Sequence, residues 1–425
     1  MTSCPATAAI VGMALALGAA VAAAQTAPQP NPSNSSSAQP GGGSCPAGGK
    51  YVADSFAPQP AFPQQTRAPR QPDTGDYRLE IVATNIVYGR AMAFLPDGSM
   101  LLAERGGRIR VVSPSGLMGV PLTGLPSITE PSALIGLMDL VLDPDFVNTR
   151  MIYLSYNTPK ESERPALPFG RPPDGIGHIA KAHLSKAADR LEVVTPLYEG
   201  ARVRRLLASL GGILFFTTVV SDPTDAQSLE RDGGKVMRIK TDGTAPPDNP
   251  FADRVDVGRF AYDLGHRDID GMALDARRRV WTVEHGPRGG DELNLIRPGA
   301  NYGFPIIGYG REYSGAEING GLTVKEGLEQ PIYFWTPDIA PSGLMIYSGK
   351  MFPQWKGNIF SGGLVAESLL RLSVRDDKVV SEVFMLADRC GRIRDVREAP
   401  DGSIYVLTDA AAGEVLRLKR AAKTS

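Results

Sequence analysis

A turn followed by a short apolar run recurs six times along the chain. Phe94-Leu95-Pro96-Asp97-Gly98 leads into Met100-Leu101-Leu102-Ala103-Glu104, and Asp143-Pro144-Asp145-Phe146 into Met151-Ile152-Tyr153-Leu154. Gly211-Gly212 precedes Ile213-Leu214-Phe215-Phe216, and Leu274-Asp275-Ala276-Arg277 precedes Val280-Trp281-Thr282-Val283. Trp355-Lys356-Gly357 and Pro400-Asp401-Gly402 open the last two, Asn358-Ile359-Phe360 and Ser403-Ile404-Tyr405-Val406-Leu407. Each pairs residues suited to tight turns and positive φ with β-rich sequence, which predicts six strands of one kind. Their spacing is irregular, roughly 45–80 residues. A solenoid holds a tighter period, whereas a radial array of sheets tolerates long insertions between strands. The pattern predicts an all-β, six-bladed β-propeller of four-stranded antiparallel blades, with a pair of β-sandwiches as the competing architecture.

Composition fits that picture. The 425 residues include 47 glycines and 35 prolines, which suit many short strands and disfavour long helices. A hydrophobic fraction of 42% provides for a sizeable core. The net charge of −1 gives no electrostatic reason to expect nucleic acid or an acidic membrane as partner. Ala8 to Ala24 is an apolar, alanine-rich run ending in small residues before Gln25, so residues 1–24 read as a signal peptide and the protein as exported, periplasmic or secreted. No other stretch is long and apolar enough to span a bilayer. Residues 25–70 are rich in Pro, Ser, Gly and Gln and read as a disordered tether. The propeller is expected over residues 77–420. Cys4 would leave with the leader, and both a Cys45–Cys390 disulfide and two free thiols stay open.

The densest chemistry lies between Val283 and Tyr313. Glycines and Pro287 let the backbone turn sharply and present carbonyls, and Asp291 and Glu292 add carboxylates. Such a loop can give a calcium ion the several oxygens it needs. This run, HGPRGGDELNLIRPGANYG, resembles the signature of the soluble pyrroloquinoline quinone (PQQ) sugar dehydrogenases, the glucose/sorbosone dehydrogenase family. AMAFLPDGSMLLAERGGRIRVV, GLMDLVLDPDF, GGKVMRIKTDG, WTPDIAPSG and RIRDVREAPDG resemble the family too, in the same order, from about Arg78 to Leu418.

The resemblance implies a six-bladed propeller holding PQQ on one face, with Ca2+ beside the quinone and a histidine taking the proton of the sugar's C1 hydroxyl. Gly286, Pro287, Glu292 and Tyr302 match calcium-ligand positions, with Asp291 beside them. Arg267 matches a cofactor-binding arginine and is followed by Asp268. Tyr313 matches a position close to the cofactor, and Arg392 and Arg394 match the pair facing its carboxylates, where planar guanidinium forks suit carboxylate.

The same comparison exposes departures. The catalytic histidine falls on Ala201, and the small residues after it become Val203 and Arg204. The family's GHRNPQG reads GHRDIDG, so Asp268 and Asp270 replace Asn and Gln; a glutamine falls on Leu134 and a basic residue on Val365. Alanine accepts no proton, and the added aspartates oppose a tricarboxylate. Of the four histidines, His178 and His183 sit in a strand-like GHIAKAHL, and His266 and His285 read as packed or supporting groups beside the retained motifs. The expected function is oxidation of an aldose sugar to its lactone, with electrons passed to an external acceptor, by a monomer or homodimer. A catalytically impaired propeller that binds calcium and a carbohydrate or protein is the alternative. A metal-dependent lactonase has only Asp268 and Asp270 in its favour.

Overall fold

The computed structural model describes residues 56–128, 131–160, 175–389 and 391–421. The leader, Cys45 and Cys390 lie outside the described residues. All six turn–strand units form strands: Met100–Glu104, Met151–Pro159, Ile213–Thr218, Val280–Glu284, Ile359–Gly363 and Ile404–Thr408. Each is the second strand from the inside of its own sheet, and the six sheets form a six-bladed propeller. Gly98, Gly211, Gly212, Gly357 and Gly402 take positive φ in four of the turns, but Arg150 (51°) and Arg278 (63°) do so in the second and fourth blades. The left-handed position there is filled without glycine, at some cost in strain.

The innermost strands are Gly89–Phe94, Gly136–Leu142, Val203–Ser209, Ile269–Leu274, Pro341–Ile346 and Ile393–Glu398. They touch one another in closed cyclic order around a central channel. The ring is closed by the chain's two ends: Tyr77–Ile86 pairs antiparallel with Gly413–Arg420, from Tyr77 opposite Arg420 to Ile86 opposite Gly413. Apolar side chains fill the spaces between blades. Phe352, Phe360, Val396 and Val406, for example, pack between the fifth and sixth blades.

Two blades depart from four antiparallel strands. The third has three, and its outer strand Val236–Lys240 gains only a single bridge from Met237 to Ala261. The fifth has an extra strand, Arg70–Gln71, running parallel to Lys378–Met385. That strand also corrects the extent of the tether. Residues 56–71 do not hang free to residue 70; they lie against the fourth and fifth blades, with Gln65 fully buried. The cause is an unfilled sheet edge at Tyr333–Trp335, where the Phe334 N–H donates to Gln65 O (2.8 Å) and Phe334 O accepts from Thr66 Oγ1 (2.8 Å).

Candidate functional site

Strands Val280–Glu284 and Asp291–Leu295 of the fourth blade are joined by a six-residue loop that folds back on residues 309–311. Glycine is required by space here. A Cβ on Gly286 would lie 2.1 Å from Gly289 O, and one on Gly310 would lie 1.9 Å from the same oxygen. Both clashes are with backbone, so neither yields to a rotamer change. Gly310→Ala is therefore expected to cost about 1–3 kcal/mol in urea unfolding and to displace the loop. A variant as stable as the parent would show that the loop is not tightly packed.

Beneath the loop is a small cavity lined by Gly286, Pro287, Glu292, Tyr302, Tyr309 and Gly310, among others. Four of the five residues predicted to bind metal thus converge. Burial and the neighbouring Glu284 carboxylate raise the Glu292 pKa to about 8. Asn294 Nδ2 donates to both acids (2.8 Å to Glu284 and 3.2 Å to Glu292). A buried and a half-buried carboxylate sharing one amide donor form a site that a cation would stabilise. Among the described residues no three His, Cys, Asp or Glu side chains cluster for a metal, so the other donors would be backbone carbonyls. That donor set fits calcium.

The fifth predicted ligand is corrected. Asp291 turns away from this cavity: its carboxylate accepts from Gly286 N (2.9 Å), Ile339 N (2.7 Å) and Ala340 N (2.7 Å). It ties the loop to the fifth blade. Burial and the nearby Asp338 carboxylate push its pKa well above the usual range. The Tyr302 phenol is also committed, donating to Leu295 O (2.6 Å) and accepting from Arg297 N (3.0 Å). A ligand role at that residue falls to its backbone oxygen.

Behind the cavity His266 is fully buried and stacked on Tyr302, with ring centroids 4.5 Å apart. Burial alone would lower its pKa, but Asp263 (3.0 Å) and Glu284 (2.7 Å) raise it to about 10. It is a fixed cation supporting the site, in keeping with its reading as a packed group.

A second, larger cavity of about 680 Å3 shares Arg267, His285, Gly286 and Pro287 with the first. Arg267 Nη1 donates to His285 O (3.1 Å) and Gly286 O (3.2 Å), while Nη2 reaches the hydroxyl of Tyr313 (3.3 Å), which is exposed at the rim. Asp268 lines the cavity but is held bidentately by Arg204 (2.8 and 2.7 Å). Burial would raise its pKa; Arg204 outweighs this and holds it below the ordinary value. The other wall residues include Leu134, Val219, Val220, Ser221 and Val365. Leu134, Asp268 and Val365, three of the positions that depart from the family pattern, therefore share this surface, whereas Ala201, Val203, Arg204 and Asp270 are not among its lining residues.

The remaining predicted contacts divide. Arg392 is half exposed and donates to Leu364 O (2.9 Å), next to the wall residue Val365. Arg394 is corrected: it is buried, with Asp270 Oδ2 and Asp409 Oδ2 each 2.8 Å away. Asp270, where the resemblance expects glutamine, and Asp409 thus hold this guanidinium between them. Ala201 donates its N–H to Asp232 (2.9 Å), and the cavity wall at this point is formed by Arg202. Arg202 and Asp338 also line the cavity, although neither was predicted. An acid inside the WTPDIAPSG stretch was the available signal for Asp338.

Residues 87–417 match the family model described as glucose/sorbosone dehydrogenase. The chain belongs to the glucose/sorbosone dehydrogenase family. Aldose sugar dehydrogenase YliI of Escherichia coli (strain K12) is 36% identical over 347 residues, covering 80% of this chain and 92% of that protein. The crystal structure of the soluble aldose sugar dehydrogenase from Escherichia coli, in its apo-form, matches with a TM-score of 0.75 at 33% identity, over 81% of this chain and all of that one. The PQQ-bound aldose sugar dehydrogenase of Streptomyces coelicolor shares the fold, with a TM-score of 0.65 at 22% identity, over 83% of this chain and 100% of its own.

Proposed function

We propose that this protein is a PQQ- and calcium-dependent dehydrogenase that oxidises an aldose at C1 to the lactone, acting after export. One observation carries the reading: the small pocket suited to a cation and the large cavity share a common wall at Arg267, His285, Gly286 and Pro287. A cation in the first would lie against an anionic ligand in the second. When bound, PQQ supplies the hydride acceptor, and calcium draws electron density from it. The chain supplies the rest. Gly286 and Pro287 carbonyls, the Glu292 carboxylate and the Tyr302 backbone would hold the cation. Arg267 and Arg202 would face carboxylates, with Arg392 at the edge. Leu134, Val219 and Val365 give the cavity an apolar wall.

Position 201 offers no atom to take the C1 hydroxyl proton. Turnover is therefore expected to be about 10²–10⁴-fold below that of family members with histidine there. The test is titration of the purified protein with PQQ and Ca2+, followed by dye reduction with a panel of aldoses. Stoichiometric quinone uptake with slow, chelator-sensitive dye reduction is expected; failure to take up quinone would overturn the reading. A second reading is favoured by the Asp270–Arg394 pairing and by Ala201: a propeller that binds calcium and a carbohydrate or protein without oxidising it. It predicts 1:1 calcium binding without PQQ uptake.

A further inference from the structure

Residues 56–71 touch both the fourth and fifth blades, and one of them reaches the wall of the cation pocket. Thr66 and Gln65 extend the edge of strand Tyr333–Trp335. Ala68 N then donates to the Tyr333 hydroxyl (2.7 Å), Pro69 O accepts from Glu382 N (3.2 Å), and Arg70–Gln71 continues as the parallel fifth strand of the next blade. The segment thus crosses from one blade to its neighbour.

Gln65 is the point of contact with the site. Its Nε2 donates to Pro331 O (3.0 Å), and its Oε1 accepts from Ala61 N (2.7 Å) and from the Tyr309 hydroxyl (3.2 Å). The single phenolic proton is shared between this oxygen and Gln330 Oε1, the nearer of the two, to which Gln65 Nε2 also reaches (3.4 Å). The Tyr309 ring stacks on Phe334 at 4.0 Å between centroids, and its carbonyl accepts from Thr336 Oγ1 (3.2 Å). Tyr309 and Gly310 line the cation pocket, and Arg311 N donates to Arg288 O (2.9 Å) in the facing loop. At the start of the segment Phe56 lies under the Arg311 guanidinium, 4.2 Å from the ring centroid. A glutamine fully removed from water is costly unless its amide is used, and here the amide fixes the phenol that closes one side of the pocket.

We propose that the segment 56–71 is a positioning element of the cation site, with Gln65 acting through Tyr309 on the pocket formed by Gly286, Pro287, Glu292 and Tyr302. The inference rests on the reading of that pocket as a calcium site. Gln65 touches neither the cation nor the substrate; it sets the distance between the 309–311 segment and the 286–290 loop.

The experiment compares Ca2+ dissociation constants, by calorimetry and by Tb3+ luminescence excited through the tyrosines, for the parent, Gln65→Leu, Tyr309→Phe and the double variant. Supporting groups around metal ligands typically change affinity by about 10–100-fold when removed. Gln65→Leu is expected to weaken binding by at least about tenfold, and the effects of Gln65→Leu and Tyr309→Phe to be less than additive, because both residues belong to one hydrogen-bond network that includes Gln330. Measurement well below the unfolding transition separates this from a general loss of stability, which would leave affinity unchanged. If Gln65→Leu does not fold, Tyr309→Phe, which removes a single oxygen, carries the test. Parent-like affinity in the variants overturns the positioning role and leaves the calcium site standing. No Ca2+ or Tb3+ binding by the parent overturns the calcium site itself, and the inference with it.

Discussion

Replacing Arg205 by methionine is expected to lower the free energy of unfolding by about 3–5 kcal/mol, the range for breaking a buried ion pair from one side. Arg205 projects from the third blade into the channel and is 3% exposed. Its Nε donates to Asp270 O (2.8 Å) in the fourth blade, and its Nη2 to Ser342 Oγ (3.3 Å) in the fifth and Arg394 O (3.0 Å) in the sixth. The carboxylates of Asp270 (3.2 Å), Asp395 (3.6 Å) and Asp139 (3.9 Å) surround it. One side chain therefore joins five of the six blades at the axis. Methionine fills a similar volume but leaves Asp139 and Asp395 to share Arg397, which is 3.5 Å from the first and 3.0 Å from the second.

Urea unfolding would measure the loss as a shift of the midpoint at unchanged slope. Arg205→Lys keeps the charge but cannot reproduce the fork, and should fall between parent and methionine. The exposed pair Arg297–Glu329 is the control, worth at most about 1 kcal/mol. A methionine variant no weaker than that control would show that the channel charges are not coupled.

The scaffold was legible where its signals are local. A positive-φ turn and the β-rich run after it are adjacent in sequence, so all six second strands were found. The parts that depend on distant partners were not legible. Gln65 lies among prolines and glutamines that look like a tether, and only the unfilled edge at Phe334, hundreds of residues away, makes it a buried residue bonded to a sheet. Asp268 and Asp270 were read as charge opposing an anionic cofactor. Arg204 had been noted as a separate departure, and nothing local links residues 64 apart. In the structure the three form one compensated unit, with Arg204 bidentate on Asp268 and 3.8 Å from Asp270. Burial would raise the Asp270 pKa, but Arg204, Arg205 and Arg394 hold it well below the ordinary range. The charge on the fourth blade is thus neutralised from the third and sixth, Arg394 Nη1 lying 2.8 Å from Asp270 Oδ2. Asp291 was misjudged for a related reason: proximity in sequence to Glu292 cannot reveal that adjacent residues of a strand face opposite sides.

His266→Leu should have an effect of the same order on stability, about 3–5 kcal/mol, and should reach the cation pocket as well. His266 is paired through both ring nitrogens; Asp263 is as deeply buried as it is, and Glu284 is also buried. Leucine leaves two carboxylates without their cation. Asp263 would keep only the Val236 N–H (2.7 Å) on Oδ1, and Glu284 the Arg267 N–H (2.9 Å) and Asn294 Nδ2 (2.8 Å). Because Asn294 also donates to Glu292, a Glu284 carboxylate that moves or takes a proton changes the donor available to Glu292. The stacking surface for Tyr302 is lost at the same time. Unfolding curves and Ca2+ titrations on one set of variants would separate the two effects. Adding Asp263→Asn and Glu284→Gln to His266→Leu removes the stranded charges, so it should recover much of the stability. It should not recover Ca2+ affinity, since Glu284 no longer adds negative charge beside Glu292. If the compensated variant remains as unstable as the single one, the imidazolium's contribution is packing against Tyr302 rather than charge.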